Sequence, residues 1–590
     1  MSLPFSVCKV TARLFAASGV IVAFSAMTLL PRAQASVQIG PQESVRFARE
    51  GLRGMVVADD QLAAEWGAEI LRRGGNAIDA AVATAFTLSV TRPHYAALGG
   101  GGFLVFCPAP RDNRASECKV IDFREKAPAA AHRDMYLRNG KADTSISQTG
   151  ALASGVPGVT AGLLLALEKF GTRDRKELLK EPIRLARKGI RFSTNTEQAL
   201  RSSWSSMNPD GKRIFGCGRG ISEACKVGDL LLQPELALVL EAISKRGKKG
   251  FYQGIVAQNL VQGLNSAGGI ISLKDLLNYE PAERSPVRGE FQGHEIITMP
   301  PPSSGGAVLV QMLEYARRAE EQKLLSQGFA SVDALRAQIH AMSLAFADRS
   351  EHMGDSDFWP VPLTQLLSQQ YLDARWKTFQ PGKAALPEAP GFKANEKLQT
   401  THFSVIDAAG NAVSITETIN GNFGSGFVPP GTGVVMNNQM DDFSTQPGVP
   451  NLFGLVGGEA NAIAPHKRPL SSMTPTIVRD KNGVVKFVLG AAGGPRIITS
   501  VFQTLLNRIQ FSMPLVDAVS AARIHHQWKP TIVRYERNGF PAETLERLRT
   551  LGYSLEPSNG LAVVHALERT PSGRVVGVPD PRGEGFAAAE

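Results

Sequence analysis

Residues 400–407 read TTHFSVID, residues 408–410 read AAG, and residues 411–418 read NAVSITET. Apolar and polar residues alternate in both outer segments, as in a β-strand with one apolar face. A three-residue loop that ends in glycine is a favoured hairpin connection, because glycine readily takes the left-handed conformation at that position. The pattern predicts an antiparallel hairpin in which Thr400 lies opposite Thr418.

This register separates the side chains of the hairpin into two faces, because successive residues of a strand point to opposite sides. One face is apolar and carries Phe403, Val405, Val413 and Ile415. The other face is polar and carries His402, Ser404, Ser414 and Thr416.

The segment before the hairpin, residues 380–399, is rich in Pro, Gly, Ala and charged residues, which is typical of an exposed linker. A hydroxyl is a weak nucleophile unless a base lies beside it. If the chain were cut before Thr400, the released α-amine, with an ordinary pKa of about 7.7–8.0, could accept the hydroxyl proton near neutral pH. The junction therefore fits a self-cleaving nucleophile, and it also fits a plain linker before a strand, where Thr is common.

Two other hydrolytic arrangements match the sequence poorly. A Ser nucleophile of the Gly-x-Ser-x-Gly kind has no counterpart, because residues 424–426 (GSG) are too short for the motif. A His-Glu-x-x-His metal site is also missing: His525 and His526 are adjacent and would point to opposite faces of a strand. Three further histidines stand alone, namely His94, His402 and His466.

The composition is that of a globular enzyme. The 590 residues are 43% hydrophobic and 20% charged, which excludes fibrous, collagen-like and wholly disordered chains. With 58 Gly, 36 Pro and only 7% aromatic residues, an α/β or α+β enzyme is favoured over a helical bundle. The net charge of +10 would suit a nucleic-acid-binding protein, but the basic runs at 184–191 and 245–249 lack interleaved aromatic residues. We therefore expect no nucleic-acid partner.

Local patterns predict several further elements. Residues 54–90 have apolar residues at helical spacing with a break at 74–76, which predicts two buried helices joined by a tight turn. The glycines at 99–102 follow a helix and open the apolar strand 103–107, so they fit close backbone packing better than a phosphate-binding loop. Residues 157–350 are predicted to be mostly helical.

The N-terminus has the layout of a secretory signal. Lys9 and Arg13 precede the uncharged stretch 14–30, and Ala33-Gln34-Ala35 places small residues at both recognition positions. We expect cleavage before Ser36; the alternative is an uncleaved membrane anchor of marginal length. No later stretch is apolar enough to cross a bilayer, so a periplasmic or secreted protein without stable membrane insertion is expected.

Export changes what the cysteines are expected to do. Four would remain in the mature chain, and their closeness in sequence suggests bridges Cys107–Cys118 and Cys217–Cys225. Each such bridge would contribute roughly 2–3 kcal/mol. A metal site built from the four thiolates is the alternative, but the Cys-x-x-Cys spacing is missing.

Several longer motifs together resemble the signatures of the γ-glutamyltransferase (γ-glutamyltranspeptidase) family. They are DFRE at 122–125, PPPSSGG at 300–306, TTHFSV at 400–405, NNQMDDFS at 437–444, KRPLSSMTPT at 467–476 and GAAGG at 490–494. The likeness runs from about Gly54 to Arg582, which is nearly the whole expected mature chain.

The resemblance implies an α+β fold of the N-terminal-nucleophile (Ntn) hydrolase type, an αββα sandwich formed jointly by two self-cleaved subunits. Cleavage would fall between Gln399 and Thr400. Residues 1–35 would then be the signal peptide, 36–399 the large subunit, and 400–590 the small, catalytic subunit, with the two subunits forming a heterodimer.

Catalytic roles follow from the same resemblance. Thr400 would cut the chain and then attack the γ-glutamyl carbonyl to give an acyl-enzyme, with its hydroxyl hydrogen-bonded by Thr418. The amides of Gly493 and Gly494 would form the oxyanion hole, where losing one donor typically costs about 2.7–4 kcal/mol. No metal or organic cofactor would be needed.

Substrate binding is implied for two groups of residues. The α-carboxylate of the glutamyl end would be held by Arg124, Ser471 and Ser472, with Arg124 offering a bidentate fork. The α-ammonium would be held by Asn420, Gln439 and Asp442. Taken without the resemblance, the same residues also fit a surface arginine, a helix cap at Asp441-Asp442 and a simple glycine turn.

The implied activity is transfer of the γ-glutamyl group of glutathione and other γ-glutamyl amides to water or to amino acid or peptide acceptors. One alternative on the same scaffold is a glutaryl (cephalosporin-type) acylase, whose substrates lack the ammonium; the presence of Asp442 favours the glutamyl substrate. Another is a periplasmic binding protein or inactive relative, which would remain uncut.

Bacterial relatives also have a loop over the pocket, and residues 447–458 match it. Many carry a Tyr near its tip that reaches the pocket Asn, whereas this chain has Phe453. We expect a looser lid, held by apolar contact, with easier entry of water.

Overall fold

The computed structural model describes residues 47–110, 115–380 and 399–590. The predicted signal peptide, its cleavage site and most of the linker before Thr400 lie outside the described residues. Within the described ranges, no helix combines the length and the apolar character needed to cross a membrane.

Two seven-stranded antiparallel sheets form the centre of the fold. The hairpin sheet, named for the predicted hairpin at its middle, has the strand order Phe586–Ala589, Met55–Ala58, Thr401–Ile406, Ala412–Thr418, Gly101–Cys107, Lys119–Asp122 and Ala282–Arg284. The partner sheet has the order Arg49–Gly51, Val575–Pro579, Val563–Arg569, Val485–Ala492, Thr476–Arg479, His294–Thr298 and Val287–Phe291. Both sheets therefore interleave strands from before and after the Gln399–Thr400 junction.

Helices cover the outer faces of the two sheets. Gln61–Arg72 and Ala77–Thr91 pack on the hairpin sheet, with Val159–Phe170 beside them. Gly305–Glu321 and Arg496–Leu505 pack on the partner sheet, and Val332–His352 packs on Gly305–Glu321. The layers thus follow the order helix, sheet, sheet, helix, which confirms the predicted α+β sandwich.

The remaining elements surround this sandwich. The other α-helices are Thr144–Gln148, Arg175–Leu178, Lys180–Lys188, Thr194–Ser203, Pro209–Phe215, Pro234–Arg246, Lys248–Tyr252, Ile255–Ser266, Leu273–Leu277, Leu363–Leu366, Gln369–Trp376, Leu515–Ser520 and Ala542–Thr550. The small sheets pair Leu137–Arg138 with Lys141–Ala142, Ile190–Arg191 with Leu230–Leu231, and Ile532–Glu536 with both Ile524–His525 and Ser554–Ser558.

The hairpin has the predicted register. Thr401 pairs with Glu417 and Phe403 with Ile415, and Gly410 at the turn has φ +90°. The apolar face packs against the helices of its own layer. The polar face meets the partner sheet, where the Ser414 hydroxyl donates to the Leu489 carbonyl at 3.1 Å.

The two predicted helices between residues 54 and 90 are also present, and side chains cap both. The Asp60 carboxylate accepts from the Ala63 amide, and Asn76 forms a capping box with Asp79. Every residue of Ala77–Thr91 is buried, because Ala, Thr and Ser let the helix lie close to the sheet. In contrast to the predicted apolar stripe, Leu62 is 40% exposed.

Two regions that were predicted helical contain strands. Met55–Ala58 pairs with the hairpin strand, and Ala282–Arg284, Val287–Phe291 and His294–Thr298 extend the two sheets. These strands are short or lie at sheet edges, so their own periodicity is weak and their pairing partners decide their conformation.

Both predicted disulfides are present. Cys107 ends the strand Gly101–Cys107 and bonds to Cys118, which lies just before the neighbouring strand. Cys217 bonds to Cys225. All four thiols of the expected mature chain are therefore used in bridges, so the alternative thiolate metal site is wrong.

Candidate active site

Thr400 lies at the open end of the hairpin, directly before the strand Thr401–Ile406. Its Oγ1 is 3.1 Å from Oγ1 of Thr418, and both side chains are buried. The Thr418 oxygen also accepts a hydrogen bond from the Asn420 amide at 2.9 Å. The Thr400 hydroxyl is thus fixed by a partner that is itself fixed by the backbone.

The backbone at Thr400 is strained. Its φ is +88°, in the left-handed region that a β-branched residue rarely adopts. Such a conformation costs on the order of 1–3 kcal/mol and persists only where surrounding contacts impose it. The strained torsion directly follows the peptide bond between Gln399 and Thr400, the predicted cleavage site.

A small cavity opens beside Thr400 and gathers nine of the ten predicted catalytic and substrate-binding residues: Thr400, Thr418, Arg124, Asn420, Gln439, Asp442, Ser471, Ser472 and Gly494. The tenth, Gly493, directly precedes Gly494. Residues that the sequence did not single out complete the lining, namely Arg349, Leu455, Leu470, Met473 and Ile497.

Arg124 and Asp442 form an ion pair at the cavity wall. Arg124 is 1% exposed, so it is not the surface residue that its position alone also allowed. Its Nη2 is 2.5 Å from Oδ2 of Asp442, and its Nε donates to the Pro469 carbonyl at 3.2 Å. The Gln439 amide donates to the same Asp442 oxygen at 2.6 Å. The site therefore presents a positive and a negative group side by side.

Glu125 lies beside this ion pair but makes no hydrogen bond to Arg124. Its carboxylate is 3.6 Å from Arg124, and neither oxygen has a hydrogen-bond partner among the described residues. Burial raises the pKa of Glu125 to about 8, which outweighs the lowering effect of Arg124. Burial therefore favours the protonated, uncharged form of this side chain.

Gly493 and Gly494 join the end of the strand Val485–Ala492 to the helix Arg496–Leu505. Their φ values are +135° and +60°, which non-glycine residues rarely adopt. A Cβ on Gly494 would also lie 2.7 Å from Cδ1 of Phe453. Both the turn and the close approach of the loop above it therefore require glycine.

The predicted lid, residues 447–458, lies over the cavity. Phe453 and Leu455 line it, and Phe453 packs on Gly494, so the expected apolar contact is present. Polar bonds also hold the loop: the Leu452 amide donates to Asp441 at 2.7 Å, and Gln527 donates to the Phe453 carbonyl at 3.2 Å. The expected easier entry of water stays a prediction.

Asp441 supports the lid rather than the cavity. Besides the Leu452 amide it accepts from the Ser147 hydroxyl at 2.6 Å. Burial raises the pKa of Asp441 to about 6 despite these two bonds. The adjacent carboxylates differ in their partners, because Asp442 binds Arg124 and also accepts from the Asn451 side-chain amide of the lid at 3.3 Å, whereas Asp441 binds the lid and Ser147.

His402 has a structural role. His402 is 2.9 Å from Thr416 Oγ1 and 3.0 Å from Ser404 Oγ, within the polar face of the hairpin. Burial holds the pKa of His402 well below its usual range and lowers that of His526 to about 4. In the described part of the chain, no group of three or more His, Cys, Asp or Glu side chains is placed to hold a metal ion.

Comparisons with known proteins identify the family. Residues 63–590 match the sequence model of the gamma-glutamyltranspeptidase family. The chain is 40% identical over 550 residues to the glutathione hydrolase proenzyme of Escherichia coli K12, covering 92% of this chain and 93% of that protein. It is 41% identical over 556 residues to the glutathione hydrolase proenzyme of Pseudomonas aeruginosa, covering 93% and 97% respectively.

Solved structures show the same fold. A cephalosporin acylase from Bacillus halodurans superposes with a TM-score of 0.79 over 92% of this chain and 97% of its own, at 24% identity, which shows the fold alone. The gamma-glutamyltranspeptidase of Helicobacter pylori superposes with a TM-score of 0.51 at 37% identity, covering 56% of this chain and 96% of the compared chain.

Proposed function

Because the chain belongs to the γ-glutamyltranspeptidase family, we propose that it is a self-processing γ-glutamyltransferase and glutathione hydrolase. It transfers the γ-glutamyl group of glutathione and other γ-glutamyl amides to water or to amino acid or peptide acceptors. The observation that carries the proposal is the Thr400–Thr418 hydroxyl pair beside a cavity walled by Arg124 and Asp442.

Processing comes first. The Thr400 hydroxyl attacks the Gln399 carbonyl, the peptide C–N bond breaks as the C–O bond forms, and the chain passes to an ester with a free α-amine. Water then hydrolyses the ester, leaving a carboxylate on Gln399 and the regenerated hydroxyl on Thr400. The strained φ of Thr400 and its bond to Thr418 support this step.

The products would be subunits 36–399 and 400–590. Each of the two central sheets contains strands from both. Separating the subunits would therefore break backbone ladders in both sheets, and a stable heterodimer follows.

Transfer uses the new amine. It takes the proton from the Thr400 hydroxyl, whose oxygen attacks the γ-carbonyl carbon of the substrate. The tetrahedral oxyanion accepts hydrogen bonds from the backbone amides of Gly493 and Gly494. It collapses as the amine of the substrate's γ-amide leaves with the proton that the Thr400 α-amine had taken up. Water or an acceptor amine then attacks the acyl-enzyme and frees Thr400.

Recognition matches the zwitterionic end of a glutamyl group. Arg124, Ser471 and Ser472 hold the α-carboxylate, and Asn420, Gln439 and Asp442 hold the α-ammonium. Burying either charge without a partner is costly, so this pairing selects substrates that carry both. The glutaryl acylase alternative has only the shared fold behind it, since its substrates would leave Asp442 without an ammonium.

Export to the periplasm or beyond is part of the proposal and rests on the sequence of residues 1–35. The chemistry described for Thr400 draws its base from the chain itself and requires no cofactor.

Intact-mass and N-terminal analysis of the wild-type protein and of Thr400→Ala tests the mechanism. We expect two fragments in the wild type, the smaller beginning at Thr400, and one uncut, inactive chain in the variant. An uncut wild-type protein that still turns over γ-glutamyl substrates would contradict the mechanism.

A further inference from the structure

We propose that Arg349 is a positioning residue that gives the α-carboxylate subsite a second positive charge, so that the enzyme discriminates for a free α-carboxylate. The inference rests on the proposed function and adds a residue to it. Arg349 lies near the end of the helix Val332–His352, is 4% exposed and lines the cavity beside Thr400.

Arg349 is linked to both serines of the predicted carboxylate subsite, directly to Ser472 and through Ser304 to Ser471. Its Nη2 is 3.5 Å from the Ser472 hydroxyl. Its Nε donates at 3.0 Å to the Ser304 hydroxyl, which in turn donates at 2.7 Å to the Ser471 carbonyl. One guanidinium therefore fixes the backbone of the first serine and the side chain of the second.

Arg349 lacks the salt bridge to a carboxylate that several other buried arginines have, such as Arg336 and Arg318. On the same helix, Arg336 forms a salt bridge with Asp333 at 3.1 Å, and the buried Arg318 pairs with Glu314 at 2.9 Å. Among the described residues, no carboxylate forms a salt bridge with Arg349. Burial accordingly lowers the pKa of Arg349 to about 10, with Asp442 favouring its charge and Arg124 opposing it.

Arg124 alone leaves the carboxylate subsite short of positive charge. In the free site Arg124 already binds Asp442 at 2.5 Å, and Asp442 is the group needed for the ammonium. Arg349 lines the same cavity and has no salt bridge to a carboxylate among the described residues, so its guanidinium is available to an incoming α-carboxylate.

The consequence is selectivity. A substrate with a free α-carboxylate supplies the missing partner of a buried cation, whereas an α-carboxamide leaves that cation without one. The α-carboxylate and the α-carboxamide both lie outside the scissile γ-amide, so Arg349 acts on substrate binding more than on the chemical step.

The test compares two substrates, γ-glutamyl-p-nitroanilide and its α-carboxamide analogue, with wild-type enzyme and with Arg349→Met, which keeps an unbranched apolar side chain but removes the guanidinium. A hydrogen bond to a charged group is worth enough that its loss should raise KM for the carboxylate substrate about 10-fold to 100-fold. KM for the carboxamide and kcat for both substrates should change less than about 3-fold. Arg349→Lys, which keeps a positive charge, should recover part of the selectivity.

Arg336→Gln serves as the control, because Arg336 is a buried arginine of the same helix that does not line the cavity. It should leave the ratio of the two KM values unchanged. An equal loss with both substrates in Arg349→Met, or a loss confined to kcat, would overturn the inference while leaving the proposed function intact. Wild-type enzyme inactive on the carboxylate substrate would instead overturn the proposed function.

If Arg349→Met fails to mature into two fragments, Ser304→Ala decides the matter. That variant keeps the arginine but removes the partner of its Nε. A selective rise in KM of about 3-fold to 10-fold for the carboxylate substrate would support the inference, since the guanidinium would be less well held. An unchanged ratio of the two KM values would overturn it.

Discussion

The two faces of the hairpin behave differently although both are buried. The apolar face, with Phe403 and Ile415, packs against helices and contributes through area removed from water. The polar face, with His402 and Ser414, lies between the two sheets and is satisfied by specific hydrogen bonds. At the end of this polar face stands the Thr400–Thr418 pair. The comparison teaches that the reactive hydroxyl continues a buried row of polar side chains.

Removing Phe403, the largest side chain of the apolar face, would test whether that face stabilises the fold. Phe403→Ala should lower the free energy of unfolding by about 3–5 kcal/mol, because it leaves a cavity under the helices. Measurement by urea denaturation in the uncut Thr400→Ala background keeps unfolding within one chain. A loss below about 1 kcal/mol would show that this face does not carry the stability assigned to it.

Thr418→Val would test the role of the polar face, since valine keeps the shape of threonine but not its hydroxyl. We expect processed enzyme to lose about 10-fold to 100-fold in kcat, because the Thr400 hydroxyl loses the bond that orients it. Stability should change by about 1 kcal/mol. Steady-state kinetics on a γ-glutamyl anilide and a denaturing gel for processing provide the readouts. Unchanged kcat would separate the polar face from catalysis.

The smallest expected effect concerns pH. Burial keeps His402 neutral in the folded protein, while the unfolded chain binds a proton there near pH 6.5. The unfolded state therefore binds more protons below that pH, and stability is lost as pH falls. For this one residue the free energy of unfolding should drop by about 0.7 kcal/mol between pH 7 and pH 6.

His402→Gln should remove that share of the pH dependence. The measurement is the difference in unfolding free energy between pH 7 and pH 6, taken for both proteins in the uncut Thr400→Ala background. Equal differences in the two proteins would mean that His402 gains a proton in the folded state.

Much of the hairpin could be predicted because its determinants are local. Alternation and the glycine at 410 fix the register, and the short sequence distances between cysteines suggested both disulfides. The strand Met55–Ala58 was missed because its identity depends on partners far away in the chain. Arg349 was missed because nothing in its neighbourhood distinguishes a cavity-lining arginine from one on the surface.

By itself, the sequence determined the hairpin, its two faces and the motifs that indicate the family, since each depends on residues close together in the chain. Only the tertiary structure decided that Arg124 meets Asp442, which lie 318 positions apart, and that Arg349 lies beside Ser472 without a salt bridge to any described carboxylate. The physical reason is that burial and the surrounding charges set what an ionisable side chain can do. Both are created when distant segments pack together.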